Sequence, residues 1–569
     1  MKKTTKLFSL LCATLMVCLS VSLAACNKGE GANVEEIDKN RTQLYVYNCN
    51  SGFGTEWIAG VKARYEELHK NDVYEEGKKG IQVYVTNRRD YMASFGDTLL
   101  NSREEVYFPD KTDYYIYYNK GVFADITEAV TTPIPGETKS IEDKMTEQQK
   151  AYFGIKEADG KVHYYAVPHT DGYSGLIYNV DVFDKWGYYF SSDIDTEDVS
   201  DWAIEDLFTK GKSRSKGPDG KANTSDDGLP ATYEQFFILC DMISQDGNIP
   251  VTWTGENYKD YLNYLIQALA TDYEGLEQSM LNYTLTGTAE LVTGFEGNMP
   301  VTESKDITPE NAWQLYAQAG KYYALDFVKK LVTTEKYHNE LAFNSTLTQK
   351  GAQKEFLMAG YNTNSDAAML CDGTWWEIES NQAFKDMKTA YGDKAAKENR
   401  NFAWMPLPKA TQAEVDAAAQ SEKPYTLYDE AYSIGFVRKN IDSWKMPIAL
   451  DFIQFACNDE SLLEYTQITS TNKALKFTMT EEQLAGLTSY ARSLYDIKSR
   501  AEVVYPYSTT ELYLSHQSEF VTYQVFRSTV KGADHRWAAE ALKNGISTKD
   551  YFEGMSVYYN KLWTKTWGV

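Results

Sequence analysis

The sequence predicts an α/β protein built from two lobes. Strand and helix patterns alternate over the first eighty residues of the mature chain, which is typical of a parallel sheet covered by helices. The 569 residues exceed what one hydrophobic core accommodates, so at least two domains are expected. A Pro-Gly-containing stretch lies between two short apolar runs at 164–183, and it suits a chain that leaves one domain and enters another.

The elements of the first lobe follow from local periodicity. "QLYVYN" (43–48) and "IQVYVT" (81–86) are rich in β-branched and aromatic residues and predict strands. Apolar residues at helical spacing predict helices over 58–68 and 92–99. We interpret "DYYIYYNKGVFADI" (113–126) as a third strand that runs into a loop. This order predicts a doubly wound domain.

Three loops follow the predicted strands, where the ligand crevice of such a sheet is expected. They read "CNSGF", "NRRD" and "YYNK". We therefore predict that Asn50, Arg88, Asp90, Tyr117 and Tyr118 contact a ligand. An arginine fork suits paired hydroxyls as well as carboxylates, although one of the two adjacent arginines is expected to be a plain surface charge.

The second half of the chain is mostly helical in pattern, with a few apolar extended runs. The predicted strands are 366–371, 401–408 and 430–437, and the predicted helices include 445–456 and an amphipathic terminal helix over 547–563. No internal repeat is visible.

The N-terminus carries the parts of a secretory signal. Lys2, Lys3 and Lys6 precede an apolar run that ends in "LAAC" at Cys26. This ending resembles the lipobox of bacterial lipoproteins, which implies a signal peptide over 1–25, a lipid on Cys26 and a polar tether over 26–40. The alternative is a membrane anchor, for which the run is short.

Charge and cysteine usage exclude several classes of function. The formal net charge is −24, and −27 once the three signal lysines are removed. Such a chain repels nucleic acid and anionic lipid, so we expect membrane contact through the N-terminal lipid alone. The remaining cysteines have no metal-binding spacing and are predicted to be buried thiols, with one disulfide left open; they are Cys49, Cys240, Cys371 and Cys457.

Two adjacent tryptophans stand out in "DGTWWEIES" (372–380). Thr374 and Glu377 have the spacing of a capping box, which predicts that a helix begins here, just after a strand. Neighbouring residues on a helix point about 100° apart. One of Trp375 and Trp376 is therefore expected to pack inward while the other faces the crevice; the alternative is that both are core residues.

Several motifs resemble, in order, those of family 1 extracellular solute-binding proteins, the maltodextrin-binding-like receptors of carbohydrate ABC importers. They are "GVFADIT", "YYAVP…GLIYNVDVF", "CDGTWW" and "ALDFIQFACNDESLLEYTQITSTNKAL". The resemblance covers most of residues 41–569. It implies a two-lobed periplasmic-binding-protein-like fold with a central cleft and an interlobe hinge.

The resemblance also implies a function. We expect a monomeric receptor on the bacterial cell surface, or in the periplasm, that captures neutral oligosaccharides and passes them to a separate permease and its ATPase. We place lobe 1 at 41–167 with 409–468 and lobe 2 at 168–408 with 469–569. The crossings are expected near Pro168, Pro406 and Thr469.

Further site residues are implied by the same resemblance. The family's stacking tryptophan, two residues after the glycine, corresponds to Trp375. The stretch "PHTDGY" faces the ligand in the family, although its acid lies one place earlier here. This stretch gives His169, Asp171 and Tyr173 as candidates, and Trp376 stays a candidate beside Trp375. Apart from the resemblance, Trp253 in "TWTGENY" is a second stacking candidate, with a core position as the alternative, and Tyr428 and Glu430 stand just before a predicted strand.

An acidic loop, "GPDGKANTSDDGLPATYEQF", predicts a structural calcium ion, since calcium takes six to eight oxygen ligands. The alternative is a solvated acidic loop. The spacing is not that of an EF-hand, because Lys221 stands at its second ligand position. The predicted ligands are Asp219, Asn223, Asp226, Asp227 and Glu234.

Catalytic motifs are lacking in the sequence. It contains no HExxH, GxSxG, Walker or dinucleotide-binding pattern, so we expect a binding protein that requires no cofactor. Two alternatives stay open. Carboxylates are numerous enough to hide the pair of a surface glycoside hydrolase, and a peptide-binding receptor of an ABC importer would share the fold.

Overall fold

The computed structural model describes residues 36–90, 92–110, 114–209, 212–361, 364–430, 433–506, 508–515 and 526–567. The predicted signal peptide (1–25), Cys26 and most of the predicted tether (26–40) lie outside this part of the chain. Within the described ranges, no helix combines the length and the apolar character needed to cross a membrane.

The strands are mostly short and lie in separate sheets. They are β1 Thr42–Cys49, β2 Ile81–Arg88, β3 Val106–Phe108, β4 Gly154–Lys156, β5 Val162–Tyr164, β6 Val167–Pro168, β7 Ser174–Asn179, β8 Ile249–Thr252, β9 Gly287–Glu296, β10 Met299–Ile307, β11 Ala367–Gly373, β12 Phe402–Met405, β13 Tyr425–Tyr428, β14 Ile434–Val437, β15 Ala501–Val504, β16 Ser528–Val530 and β17 Ala533–His535.

The α-helices surround these sheets. They are α1 Glu56–Leu68, α2 Met92–Phe95, α3 Tyr114–Asn119, α4 Thr127–Thr131, α5 Ile141–Lys144, α6 Glu147–Phe153, α7 Val180–Trp186, α8 Tyr233–Gln245, α9 Tyr258–Thr284, α10 Ala319–Thr333, α11 Gln349–Met358, α12 Trp376–Glu379, α13 Asn381–Tyr391, α14 Gln412–Gln420, α15 Met446–Ala456, α16 Asp459–Thr469, α17 Glu481–Ala485, α18 Ser489–Ser499, α19 Glu511–Ser515, α20 Ala538–Lys543 and α21 Thr548–Trp567.

The first lobe is built on a five-stranded sheet in the order β2-β1-β3-β14-β6. Strands β1, β2 and β3 are parallel, while β14 runs antiparallel to β3. Val46 and Val83 are completely buried in this sheet, which explains why β-branched residues dominate it. Helices α1, α15 and α16 complete the hydrophobic core.

The second lobe is built on a four-stranded sheet in the order β12-β7-β11-β8. Strand β11 is parallel to β8 and antiparallel to β7. One large core packs α8, α9, α10 and α21 against this sheet. A second cluster lies between its strands and the helices α11, α13 and α18. The carboxyl end of β11 therefore lies between two packed layers.

The chain passes between the two sheets three times. Strand β6 belongs to the first sheet and β7 to the second, so the first crossing is at 169–173. The chain returns between β13, which pairs with β15, and β14, which is later than the predicted Pro406. The third crossing follows α16, where Ser470 adopts a φ of 62°. The lobe boundaries themselves stay a prediction.

One predicted element is wrong. The segment expected to be a strand at 113–126 contains helix α3, and the third strand is β3, just before it. Tyr114 and Tyr117 are three residues apart and both buried. This helical spacing places them on one face against the core, which outweighs the β propensity of the tyrosine-rich sequence.

The four cysteines of the described chain are free thiols. Cys240, Cys371 and Cys457 are buried, as predicted, whereas Cys49 at the end of β1 is only half-buried. Burial raises the pKa of the Cys49 thiol.

Candidate functional site

The two adjacent tryptophans separate as their spacing predicts. Trp376, the first residue of α12, is completely buried among the rings of Phe356, Phe402 and Tyr490, at centroid distances of 5.5, 5.1 and 5.3 Å. Trp375 precedes the helix and stays half-buried. The prediction that Trp376 contacts a ligand is therefore corrected to a core role, and Trp375 is the candidate platform.

Gly373 makes room for the Trp375 ring. A Cβ at Gly373 would lie 2.2–2.4 Å from atoms of the indole, which is much closer than van der Waals contact. The indole thus lies directly over the last residue of β11. The tight position fixes the ring at the carboxyl end of the strand, where a ligand is expected.

The predicted capping box is wrong. Helix α12 has no side-chain cap, and the Thr374 hydroxyl instead accepts a hydrogen bond from the Tyr173 backbone N–H at 3.3 Å. Glu377 is buried and accepts hydrogen bonds from Ser470 and Thr488. It also pairs with Lys397 at 3.2 Å. This glutamate ties α12 to the third crossing rather than to a ligand.

Three acidic side chains lie close together near the end of β11. Gln353 donates through one amide nitrogen to Asp372 at 3.0 Å and to Glu379 at 3.2 Å, which brings the two carboxyl groups together. Glu430 accepts a hydrogen bond from the Ser174 hydroxyl at 2.6 Å. Asp372 and Glu430 are buried, and Glu379 is the member that stays partly exposed.

Burial changes the ionisation of this group. Burial and the neighbouring Glu379 raise the pKa of Asp372 to about 8. Burial likewise raises the pKa of Glu379 to about 7, against the effects of Gln353 and of Arg89 from the first lobe. The Tyr261 hydroxyl beside them has a pKa well above its usual value, because of burial and the charges of Asp372 and Glu379. Asp372 therefore keeps its proton at neutral pH, and Glu379 is partly protonated there.

The loops at the strand ends of the first lobe lie on the other side of the expected cleft from Trp375. Asn50 donates its backbone N–H to the Arg88 carbonyl at 2.8 Å, so the loops after β1 and β2 run side by side. The Arg88 side chain pairs with Asp90 at 3.0 Å and both are exposed. The predicted strand-end residues thus lie together, and Arg89 is the one whose charge reaches the second lobe.

The hinge residues make contacts within the protein. His169 is buried between the rings of Trp57 and Phe108, at 4.8 and 4.6 Å, and burial holds its pKa well below the usual value. Asp171 is buried, pairs with Lys498 and accepts from the Tyr173 hydroxyl at 2.9 Å. Asp171 therefore joins the crossing to α18, while His169 packs against the first lobe.

Four other aromatic candidates pack within their lobes. Trp253 is completely buried and its indole N–H donates to the Ala342 carbonyl at 2.8 Å, so it is a core residue. Tyr117 is buried against Met92. Tyr118 donates to Glu157 at 3.2 Å, and Tyr428 is buried with its hydroxyl 2.8 Å from that of Tyr283. These four rings are therefore engaged in contacts within the protein.

The acidic loop closes around an arginine. Asp219 and Asp226 are completely buried, and Arg500 donates to Asp219 at 2.8 Å. The Tyr425 hydroxyl and the Asp219 backbone N–H donate to Asp226 at 2.7 and 3.0 Å. The positive charge that a calcium ion would bring is thus supplied by a side chain.

The other predicted calcium ligands point elsewhere. Asp227 accepts from the backbone N–H groups of Asn223 and Thr224 at 2.8 and 3.2 Å, and Glu234 is exposed in the first turn of α8. Across the part of the chain that is described, no group of three or more acidic, His or Cys side chains could hold a metal ion. The predicted ligands therefore do not fit calcium in this arrangement.

A cavity lies at the third crossing, away from the predicted residues. It measures about 460 Å³ and is bounded by the start of α6, residues 472–477, the end of α18 and β15. At the ends of β1 and β3, by contrast, only about 20 Å³ is open, lined by Asn48, Ser51, Phe53 and Asp110 among others. This is room for little more than one water molecule.

The sequence analysis did not predict that Phe53, Tyr261 and Gln353 lie near the candidate site. The loop "CNSGF" contains Phe53, and its flanking glycines, Gly52 and Gly54, were a usable signal for an exposed turn. Tyr261 and Gln353 lie inside amphipathic helices. No local pattern distinguishes them from core residues.

Comparison with known proteins identifies the fold. No protein-family model matches the chain, and no curated protein matches it in sequence. The solved structure of the solute-binding protein RafE in complex with raffinose is 12% identical, with a TM-score of 0.52, and the match covers 92% of this chain and 99% of that one.

Two further structures match in the same way. Maltose-bound MalE3 of T. maritima is 12% identical, with a TM-score of 0.51, over 92% of this chain and all of that one. An ABC substrate-binding protein from Listeria monocytogenes in complex with cycloalternan is 14% identical, with a TM-score of 0.50, over 92% and 99%. The predicted two-lobed α/β fold of solute-binding proteins is confirmed.

Proposed function

We propose that this protein is the extracellular binding component of an ABC importer and captures oligosaccharides between its two lobes. The observation that carries the proposal is Trp375, a half-buried indole fixed over Gly373 at the carboxyl end of β11. Similar structures solved with raffinose, maltose and cycloalternan bound support it.

The chemistry of the site suits a sugar. One face of a sugar ring exposes C–H groups, which pack on an aromatic face, while its hydroxyls need hydrogen-bond partners. Glu379 lies one helical turn after Trp375, is partly exposed and offers a carboxyl group to sugar hydroxyls. Burial raises the pKa of Glu379 to about 7, so this carboxyl group can donate to a sugar hydroxyl as well as accept from one.

The proposal extends to anchoring and partners. The lipobox-like "LAAC" ending at Cys26 supports a lipid anchor at the outer face of the membrane, and import requires a permease and an ATPase on separate chains. We propose a monomer without catalytic activity. The alternatives, a surface glycoside hydrolase and a peptide-binding receptor, differ in products and in ligand class.

The test is calorimetric titration of the mature protein with raffinose, maltodextrins and other oligosaccharides of increasing length. Trp375→Ala should weaken sugar binding about 10- to 100-fold, the scale of stacking on an aromatic ring. The matched control is Trp444→Ala, since Trp444 is 41% exposed and lies just before α15 of the first lobe.

Each alternative predicts its own result. Cleavage products in the same mixtures would support a hydrolase, and binding of oligopeptides without sugars would support a peptide receptor. Equal affinity of the wild type and Trp375→Ala for the tightest sugar would contradict the role of this indole.

A further inference from the structure

We propose that the cavity at the third crossing is a second binding site, which takes a small apolar molecule that carries one anionic group, a carboxylate or a sulfonate. The cavity measures about 460 Å³, and pockets for small ligands measure about 300–1,000 Å³. Gln148 of α6 donates its amide to the Tyr505 carbonyl at 3.1 Å, and both residues line the cavity. This bond fixes two of the walls relative to each other.

The walls of the cavity are mostly apolar. Ala474 and Leu475 of the third crossing line it and are each 3% exposed. Leu276 of α9, Phe477 and Val503 of β15 line the same space and are partly buried. Apolar side chains around a space of this size favour an apolar occupant, because water held there lacks hydrogen-bond partners.

Ammonium groups surround this apolar space. Three lysines line it, Lys423, Lys476 and Lys498, against two glutamates, Glu147 and Glu502. The whole chain has the opposite balance, with 57 basic and 81 acidic residues. A local excess of positive charge in an acidic protein attracts an anion to this place.

Two of the lysines are available to a ligand. Glu147 pairs with Lys150, which does not line the cavity, at 2.8 Å. Lys423 and Lys476 are exposed. Lys423 donates to the Ser499 carbonyl at 2.6 Å, and an ammonium group has three protons to donate. These two lysines are therefore the expected partners of the anionic group of a ligand whose apolar part occupies the cavity.

The first crossing separates this cavity from the ends of β1 and β3. Lys498 lines the cavity and pairs with Asp171, whereas the preceding residue, Thr170, lines the small opening at those strand ends. Neither Trp375 nor Glu379 lines the cavity. The second site is therefore distinct from the proposed sugar site, and it does not depend on the proposed function.

The experiment uses two fluorescent probes with the purified mature protein. Anilinonaphthalene sulfonate has an apolar ring system and one sulfonate, and it reports binding to apolar surfaces. Phenylnaphthylamine is the matched neutral probe, because it has the same rings without the sulfonate. We expect the anionic probe to bind with a stoichiometry of one, and its affinity should fall as salt screens the lysines. An affinity that does not change with salt would overturn the role of the lysines.

The lysine variants test the anionic group of the ligand. Lys423→Ala combined with Lys476→Ala should weaken binding of the anionic probe about three- to tenfold, the scale of two exposed ion pairs, and leave the neutral probe unchanged. Lys385→Ala combined with Lys394→Ala is the matched control, since these lysines are also exposed and do not line the cavity. Equal effects of the two double variants would overturn the proposal.

A second variant tests the place of binding. Val503→Trp fills the cavity and should weaken both probes more than about tenfold, while Val162→Trp, at a position of β5 that is 49% exposed, should not. Trp375→Ala should bind the probes as the wild type does. Loss of probe binding in Trp375→Ala, or unchanged binding in a folded Val503→Trp protein, would overturn the proposal. If Val503→Trp does not fold, the lysine variants decide, and failure to bind any sugar would affect only the proposed function.

Discussion

Replacing Asp372 by Asn should make the protein more stable at alkaline pH. The pKa of Asp372 rises from an ordinary 3.8 to about 8 in the folded protein, so the folded state holds a proton that the unfolded state releases. The stabilisation that this proton contributes is fully present below about pH 4 and is lost as the pH rises towards 8. One pKa unit corresponds to about 1.4 kcal/mol, so the loss by pH 7 is up to about 4 kcal/mol.

The asparagine in the Asp372→Asn variant would remove this proton dependence with little change of shape. The charged and titratable groups that face position 372 are Glu379, Glu430, Tyr261 and Tyr490, and none of them supplies a positive charge to hold the carboxylate. Gln353 can reverse its amide to bond the new side chain. The variant should therefore lose less stability than the wild type between pH 5 and pH 8.

The assay is scanning calorimetry of both proteins from pH 5 to pH 8.5. The difference between the two melting temperatures should grow with pH by several degrees. Asp386→Asn, which changes an exposed carboxylate on α13, is the control and should leave the pH profile unchanged. Parallel pH profiles for the wild type and Asp372→Asn would refute the argument, because they would show that no proton is held at this position.

Two further outcomes concern the core and the acidic loop. Trp376→Ala should reduce the free energy of unfolding by about 3–5 kcal/mol, the usual cost of emptying a buried tryptophan site, and a melting temperature within one degree of the wild type would contradict its core placement. A chelator should leave the melting temperature unchanged, whereas Arg500→Met should lower it, because Arg500 supplies the charge beside Asp219 and Asp226. A melting temperature that falls with chelator and recovers with calcium would restore the calcium prediction.

The local sequence was sufficient to predict a strand or helix where burial and periodicity agree. Strands β1 and β2 were predicted within two residues of their ends, because apolar and β-branched residues buried in a parallel sheet form continuous runs. The helix over Met446–Ala456 was equally clear. The tyrosine-rich segment at 113–126 failed since the same residues suit a strand by propensity and a helix by spacing.

The site residues were harder to predict because the residues that contact them are distant in sequence. Trp253 is enclosed by His338 and Phe343, and its aromatic character alone could not separate a core residue from a platform. Glu377 has the spacing of a cap, but Ser470 and Lys397 reach it from elsewhere. Long-range packing decided each case, and a single sequence carries no record of it.

Cys49 gives the protein a chemical reporter of its own. It is the half-buried thiol among the four cysteines of the described chain, and it lines the small opening beside Phe53. Because the thiolate is the reactive form and burial raises the pKa of Cys49, a thiol reagent should attack Cys49 slowly in the folded protein. The rate of labelling of the unmodified protein would then increase with any motion that exposes the carboxyl end of β1, so this rate measures how often the end of the strand opens.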